Sequence, residues 1–514
     1  MSPLRLQAET AYGRVEGTES KGILAFKGIP YAEAPQGRFR FQPPRPLKGW
    51  TGVRPAHRCG PVPIQPALPI FRFLNAGAAR QSEDCLYLNV WTPGTEGTKR
   101  PVLVWIHGGG FLIGAGSTPV YDGHHLAQSG DIVVVTINYR LGALGFVHLE
   151  GLAKSGFEES SNLGSRDQIA ALEWVRENIG EFGGDPENVT VCGQSAGAMS
   201  VGALLGAPSA RGLFQRAILQ SGAGRHVIDR DRADEAAELF LDELGNPRCT
   251  PKSLGALSAN QILSAQGAVN RKLMNARDLM VMMPCVDGNL ITEAPLEAIG
   301  KGRVSDIDIM IGTTLDEWKL FSPLDAALLR SSESRLVSRF AELLPQIVSN
   351  PPDPEFAVQA YREALAKRGG KTTPFEILSA FQSMRVFHHP AFELADQHGN
   401  AGGRVHSYLF SWKPPAFARS LGACHAMELP FVFGLTNHPL SRAFTGFTGS
   451  ARRLAGRMQS AWTSFARNGR PGHPGLPEWD PYDSVARPTM VFDRECTLAD
   501  NPLAAERNLL EAWS

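Results

Sequence analysis

Two apolar runs, RPVLVWIHGG (100–109) and DIVVVTINYR (131–140), are rich in β-branched residues and end in glycine or polar residues. That is the pattern of strands buried on both faces. From residue 167 the period changes: Ile169, Leu172, Val175, Ile179 and Phe182 recur at helical spacing, before the glycines and proline of GGDP interrupt the pattern. Strand-like runs return in NVTVCGQS (188–195), RAILQSG (216–222) and DIDIMIGTTLDE (306–317). Strands alternating with helices predict an α/β architecture, a mostly parallel central sheet covered by helices on both faces.

Two regions break the rhythm. Residues 55–84 are proline-rich and carry Phe71 and Phe73 without period, which predicts a long surface loop. Residues 325–400 are mostly helix-like, which predicts an insertion lying on the sheet. There is no flexible linker and no internal repeat, so the expectation is one elaborated domain over 1–514.

Charge removes several partners from consideration. The chain of 514 residues has 51 basic and 51 acidic side chains and a formal net charge of zero, with no electrostatic reason to bind nucleic acid or an anionic membrane. The opening MSPLRLQAETAYGRVEG lacks the apolar core of a secretory signal, and no run approaches the ~20 residues needed to span a bilayer. A soluble cytoplasmic protein is expected. Seven cysteines form no CxxC pair and no zinc-like spacing with the histidines, so no metal is expected. Cys59 and Cys85 could close a loop, although reduced thiols are the plainer expectation.

The candidate chemistry begins at GQSAG (193–197), a GxSxG pattern between a predicted strand and a helix-like AGAMSVGALL. A serine on such an elbow is lifted above the sheet by strained backbone, and the glycines avoid collisions across the turn. WIHGGGF (105–111) ends another strand in three glycines, whose N–H groups are unobstructed and can stabilise an oxyanion. It is not a dinucleotide turn, because Ile113 stands where the third glycine of GxGxxG would fall. His107 is read as an anchor of this loop rather than as a base. A serine hydroxyl needs a base, and the base an acid; in this architecture they follow in the order Ser, Asp or Glu, His. Asp316 and Glu317 both stand at a strand end, and seven histidines follow (388, 389, 398, 406, 425, 438, 473). Pattern alone selects neither the acid nor the base.

Together FKGIPYAEAP (26–35), SEDCLYLNVWTP (82–93), WIHGGGF, NYRLGALGF (138–146), FGGDPENVTVCGQSAG, GTTLDEWKLF (312–321), CHAMELPFVFG (424–434) and FARNGRPG (465–472) closely resemble the carboxylesterase and cholinesterase family, the type-B carboxylesterases. The resemblance covers nearly the full length. It implies the α/β-hydrolase fold with helical insertions over the active site, Ser195 as nucleophile, Glu317 as acid and His425 as base. It also implies an oxyanion hole of Gly109, Gly110 and Ala196, structural ion pairs Arg38–Glu83 and Arg140–Asp167, and no metal or organic cofactor. Asp316 becomes a neighbour, a helix cap or a solvated charge.

Departures from the family pattern shape the substrate expectation. Gln194 replaces the usual glutamate before the serine, and Trp318 the usual glycine after the acid. Residues 60–84, between the two matching cysteines, contain no tryptophan to hold a quaternary ammonium, Leu112 replaces a tyrosine, and Cys249 has no cysteine nearby. Leu112, Phe71 and Phe73 are candidates either for an apolar gorge or for simple packing. The expected activity is hydrolysis of carboxylic esters of small to medium uncharged alcohols, with a small-molecule ester as partner. Carbamate or amide hydrolysis by the same residues is the alternative, and a non-catalytic binding protein the remote one. Monomer and homodimer both remain open.

Overall fold

The computed structural model describes residues 6–67, 80–96, 99–150, 152, 156–245, 249–273, 280–324, 332–414, 420–439, 441–446 and 448–514. Phe71 and Phe73, in the proline-rich segment, lie outside the described residues. In chain order the described strands are β1 (Gln7–Thr10), β2 (Gly13–Glu16), β3 (Thr18–Ser20), β4 (Ile23–Pro30), β5 (Val53–Pro55), β6 (Tyr87–Thr92) and β7 (Arg100–Ile106). They continue with β8 (Val133–Ile137), β9 (Gly184–Gln194), β10 (Arg216–Gln220), β11 (Asp308–Thr314), β12 (Val405–Phe410), β13 (Pro488–Phe492) and β14 (Thr497–Asp500).

Eleven of these strands form one sheet in the order β14-β13-β12-β11-β10-β9-β7-β8-β6-β4-β3, while β1, β2 and β5 form a small second sheet. From β8 through β13 all neighbours are parallel; the flanking pairs are antiparallel. The apolar runs are continuous because both faces of the central strands are buried. Along β7, Val102, Val104 and Ile106 enter one core and Leu103 and Trp105 the other.

The first core holds Leu172 and Val175 of the helix Leu163–Asn178, followed by Ile179 and Phe182 in a tighter turn, so the five periodic residues do share one buried face. The second takes the helix Gly449–Asn468, with Trp462 fully buried. The helical pattern stops at GGDP as expected: Gly183 closes the turn Ile179–Phe182 in a left-handed conformation, and β9 starts at Gly184, where Arg100 pairs with it. Residues 332–400 hold the helices Glu333–Leu343, Pro354–Lys367, Pro374–Ser383 and His389–Asn400, with the wide turn Met384–His388 between the last two.

One expected ion pair is corrected. Arg140 does meet Asp167, with Nη2 2.7 Å from Oδ1 and Nε 2.8 Å from Oδ2, both side chains buried. Glu83, however, pairs with Arg40, not Arg38: Arg40 Nη2 is 2.5 Å from Oε1 and Nε 2.7 Å from Oε2. The tight turn Gly37–Phe39 leaves Arg38 outside, its guanidinium over the Phe39 ring, while Arg40 runs inward and also donates to Leu254 O and Leu257 O. Cys59 is exposed, Cys85 is buried, and both are free thiols. Among the described residues no helix is long and apolar enough to cross a membrane, and no group of three or more His, Cys, Asp or Glu is placed to hold a metal.

Candidate active site

Four segments reach one end of the sheet: the loops after β7, β9, β11 and β12, all leaving the carboxyl ends of parallel strands, where open α/β sheets place their sites. Strand β9 ends at Gln194 and the helix Ala196–Leu205 starts immediately afterwards, so Ser195 alone makes the turn. It does so at φ 58°, ψ −128°, a conformation that side-chain-bearing residues seldom adopt. The elbow is held by the Ser195 N–H donating to Gln220 O of β10 at 2.8 Å and by the Met199 N–H donating to Ser195 O at 2.9 Å. A Cβ on Gly193 would strike the Gly197 carbonyl, and one on Gly197 would strike Ile106 O. Both glycines are therefore needed for the strand, turn and helix to close on one another.

The loop after β7 packs directly on this elbow: a Cβ at Gly108 would lie 3.0 Å from Ser195 Cβ. Gly109 adopts φ +117° and Gly110 φ +63°. The N–H groups of Gly109, Gly110 and Ala196 make no hydrogen bond to any described residue. His107 is turned away to a supporting role. Its ring stacks on Tyr139 with centroids 4.5 Å apart, its Nδ1 is 2.8 Å from Gly108 O, and burial pushes its pKa down to about 4.

Glu317 and His425 come together. His425 Nδ1 is 2.6 Å from Glu317 Oε2, and both side chains are buried, at 4% and 0% exposure. Glu317 Oε1 accepts the Thr314 N–H at 2.7 Å. Burial alone would raise the Glu317 carboxyl, but the His425 charge and hydrogen bond, with further bonding, outweigh it and hold the group below its ordinary value. The Glu317 carboxyl is thus kept ionised and His425 Nδ1 kept as the donor nitrogen. Asp316 points elsewhere, toward Lys319 and Ala423.

Further residues complete the surroundings of His425, and of these Gln194 and Trp318 stand out in the sequence as departures from the family pattern. Phe387 and Phe321 pack on the His425 imidazole with centroids 4.8 and 5.2 Å away, and Trp318 packs on Phe321 at 5.2 Å. Gln194 Nε2 lies 3.1 Å from His425 Nε2. Three residues past His425, Glu428 is fully buried; its Oε1 accepts from Gln220 Nε2 at 3.0 Å and its Oε2 has no partner among the described residues. Burial, and then repulsion from Glu317, raises its pKa to about 7. Phe321 and Glu428 lie inside GTTLDEWKLF and CHAMELPFVFG but are not singled out by the pattern, and Phe387, in the helical insertion, carries no sequence signal.

The profile of the Carboxylesterase family matches residues 5–510. The para-nitrobenzyl esterase of Bacillus subtilis is 39% identical over 507 residues, 98% of this chain and 97% of its own. The phenmedipham hydrolase of Pseudarthrobacter oxydans is 35% identical, over 92% of each chain. A carboxylesterase of Geobacillus stearothermophilus superposes with a TM-score of 0.87 at 39% identity, covering 99% of this chain and 100% of that one. With strands, elbow and whole length in agreement, the chain belongs to the carboxylesterase family and is a carboxylic-ester hydrolase of the α/β-hydrolase fold.

Proposed function

We propose that Ser195 is the nucleophile, His425 the general base and Glu317 its orienting acid, and that the substrates are esters of uncharged alcohols. Ser195 Oγ bonds to the ester carbonyl carbon as His425 Nε2 takes its proton, and the carbonyl oxygen gathers negative charge facing the Gly109, Gly110 and Ala196 N–H groups. The C–O bond to the alcohol then breaks, and the alcohol leaves with the proton from His425. Water, deprotonated by the same imidazole, attacks the acyl-enzyme and releases the acid and free Ser195. Glu317 holds the Nδ1–H tautomer and balances the imidazolium that forms in each half.

The observation that carries this reading is the buried 2.6 Å contact between Glu317 and His425, whose Nε2 lies 3.1 Å from the side chain of Gln194, the residue before the elbow serine. The choice of neutral alcohol rests on what would face the alcohol. Residues 60–84 contain no tryptophan to hold an ammonium, Leu112 replaces a tyrosine, and Gln194 puts an amide where a carboxylate would attract a cation. An ammonium without such partners loses hydration that an alkyl group does not have to lose.

The test is kcat/KM for an acylcholine against the 3,3-dimethylbutyl ester of the same acid, its uncharged isostere. The neutral ester is expected to be hydrolysed at least as well. A tenfold preference for the cation that fades with salt would show an ammonium site and refute the substrate assignment. Graded p-nitrophenyl esters in the same series define the acyl side.

A further inference from the structure

Next to the proposed acid stands a carboxylate with no part in proton transfer. The Asp316 N–H donates to Ala423 O at 2.9 Å, and the Ala423 N–H donates back to Asp316 Oδ2 at 2.9 Å. This closes a ring of two hydrogen bonds on the residue two before His425. The zipper runs one step further, with the His425 N–H donating to Glu317 O at 3.3 Å. The fit is close: Gly422, at φ +56°, passes so near that a Cβ would run into Asp316 Oδ2.

The other carboxylate oxygen faces a different partner. Asp316 Oδ1 is 3.0 Å from Lys319 Nζ, which is also 2.8 Å from Glu376 Oε2. The Lys319 side chain is only 8% exposed. Burial would lower its pKa, but the two carboxylates outweigh that and raise it, so the ammonium is charged between two anions. Glu376 lies in the first turn of the helix Pro374–Ser383. At its other end, Ser383 Oγ accepts the Trp318 N–H at 3.0 Å. The helix leads straight into the turn that places Phe387 on the His425 ring. Residues 316–319 therefore grip the His425 loop on one side and both ends of a covering helix on the other.

We propose that Asp316 is a positioning residue for His425, and that Lys319 ties it to the helix Pro374–Ser383, so that the imidazole and its aromatic cover keep one geometry. The proposal rests on the assignment of Ser195, Glu317 and His425 above. A general base must sit within hydrogen-bond reach of both acid and nucleophile, and a small displacement of its loop costs rate without costing ground-state binding. The two bonds to Ala423 resist that displacement. A buried ammonium shared by two carboxylates makes the tie to the helix costly to break, because losing either partner leaves a desolvated charge poorly balanced.

The experiment compares Asp316→Ala, Asp316→Asn and Glu376→Gln with the unaltered enzyme on one p-nitrophenyl ester, with rates normalised to folded protein by near-UV circular dichroism. Asp316→Ala is expected to lower kcat about tenfold or more with KM within about twofold, the signature of a lost transition-state contribution. Asp316→Asn keeps an oxygen for the Ala423 N–H and is expected to regain most of that loss. Glu376→Gln leaves the Ala423 bonds intact and is expected to lower kcat by about threefold through the helix alone.

An Asp316→Ala enzyme that melts earlier but keeps wild-type kcat, or an Asn variant as slow as the Ala one, would overturn the positioning role. If Asp316→Ala does not fold, Glu376→Gln decides: an unchanged kcat refutes the tie. Ser195→Ala in the same assay separates the two readings. An active Ser195→Ala enzyme defeats the proposed function; an inactive one beside a wild-type-like Asp316→Ala defeats only the positioning role.

Discussion

Gln194 Nε2 stands 3.1 Å from His425 Nε2, on the one imidazole nitrogen that Glu317 does not engage. With Nδ1–H given to Glu317, Nε2 carries a lone pair and the glutamine amide donates to it; that tautomer follows from the hydrogen-bond network. In the proposed mechanism Ser195 loses its proton to the same nitrogen, which requires the amide to give way as a substrate is engaged.

Gln194→Glu would replace this neutral donor with an anion beside the imidazole. A carboxylate there stabilises positive charge on its neighbour, so activity would need a higher pH to reach its plateau. The acid limb of the kcat/KM profile between pH 5 and 9 is expected to move upward, with the plateau rate less affected. A limb that stays in place would show that residue 194 does not sense the base.

Ser195→Ala is expected to remove nearly all turnover from a protein that still folds, since the elbow accepts a methyl group and its backbone bonds remain. Glu317→Gln is expected to cut kcat by about 10² to 10⁴, because an amide can present a donor to Nδ1 and stabilise the wrong tautomer. Steady-state kinetics on one ester at saturation check both. The same assay on Asp316→Asn should show a far smaller loss; a loss equal to that of Glu317→Gln would reassign the acid.

Glu428 gives the molecule a stability that depends on pH. The carboxyl would ionise near 4.5 in the unfolded chain, but burial and then the charge of Glu317 keep it protonated up to about 7 in the folded one. Between those values the native state holds the extra proton, so this residue's contribution falls as pH rises through the window, by up to about 1.4 kcal/mol per unit, and levels off above it. Glu428→Gln retains an oxygen for Gln220 and removes the titration. Urea midpoints measured from pH 4.5 to 8 should decline less in the variant; parallel curves would exclude this residue as the cause.

Arg140 and Asp167 form a bidentate pair with both side chains buried, and Asp167 also accepts the Arg140 N–H at 3.0 Å. Asp167→Ala strands a guanidinium in the core and is expected to cost about 3 to 5 kcal/mol, whereas replacing both partners with apolar residues should cost less than the single change. Denaturant titration of the single and double variants measures the difference. A single variant within about 0.5 kcal/mol of wild type would mean that water reaches the pair.

The central strands β7 to β11 were legible because burial on both faces leaves a short, largely apolar run in each. Strand β12, VHSYLF, was not, since His406 and Ser407 interrupt the run although the structure buries both. Strand β4 was hidden by Lys27, Gly28 and the register shift between Lys27 and Ile29. At the site, the glycine loops and Ser195 follow from local backbone demands that residue type reveals. The orientation of Glu317 and Asp316 does not, because adjacent carboxylates in one tight turn are told apart only by the direction each side chain takes. The exchange of Arg38 for Arg40 has the same origin, a three-residue turn that reverses which arginine faces inward.

The wide central sheet ends in narrow margins. On one side lies β3, three polar exposed residues; on the other lies β14, four residues with Thr497 and Asp500 exposed. Eleven strands would otherwise offer two long rows of unpaired backbone donors and acceptors for another chain to extend. Here each border is too short and too hydrophilic to template a further strand. Concentrated native enzyme is therefore protected against edge-to-edge fibril growth, and cross-β association would have to begin from chains that had already lost these margins.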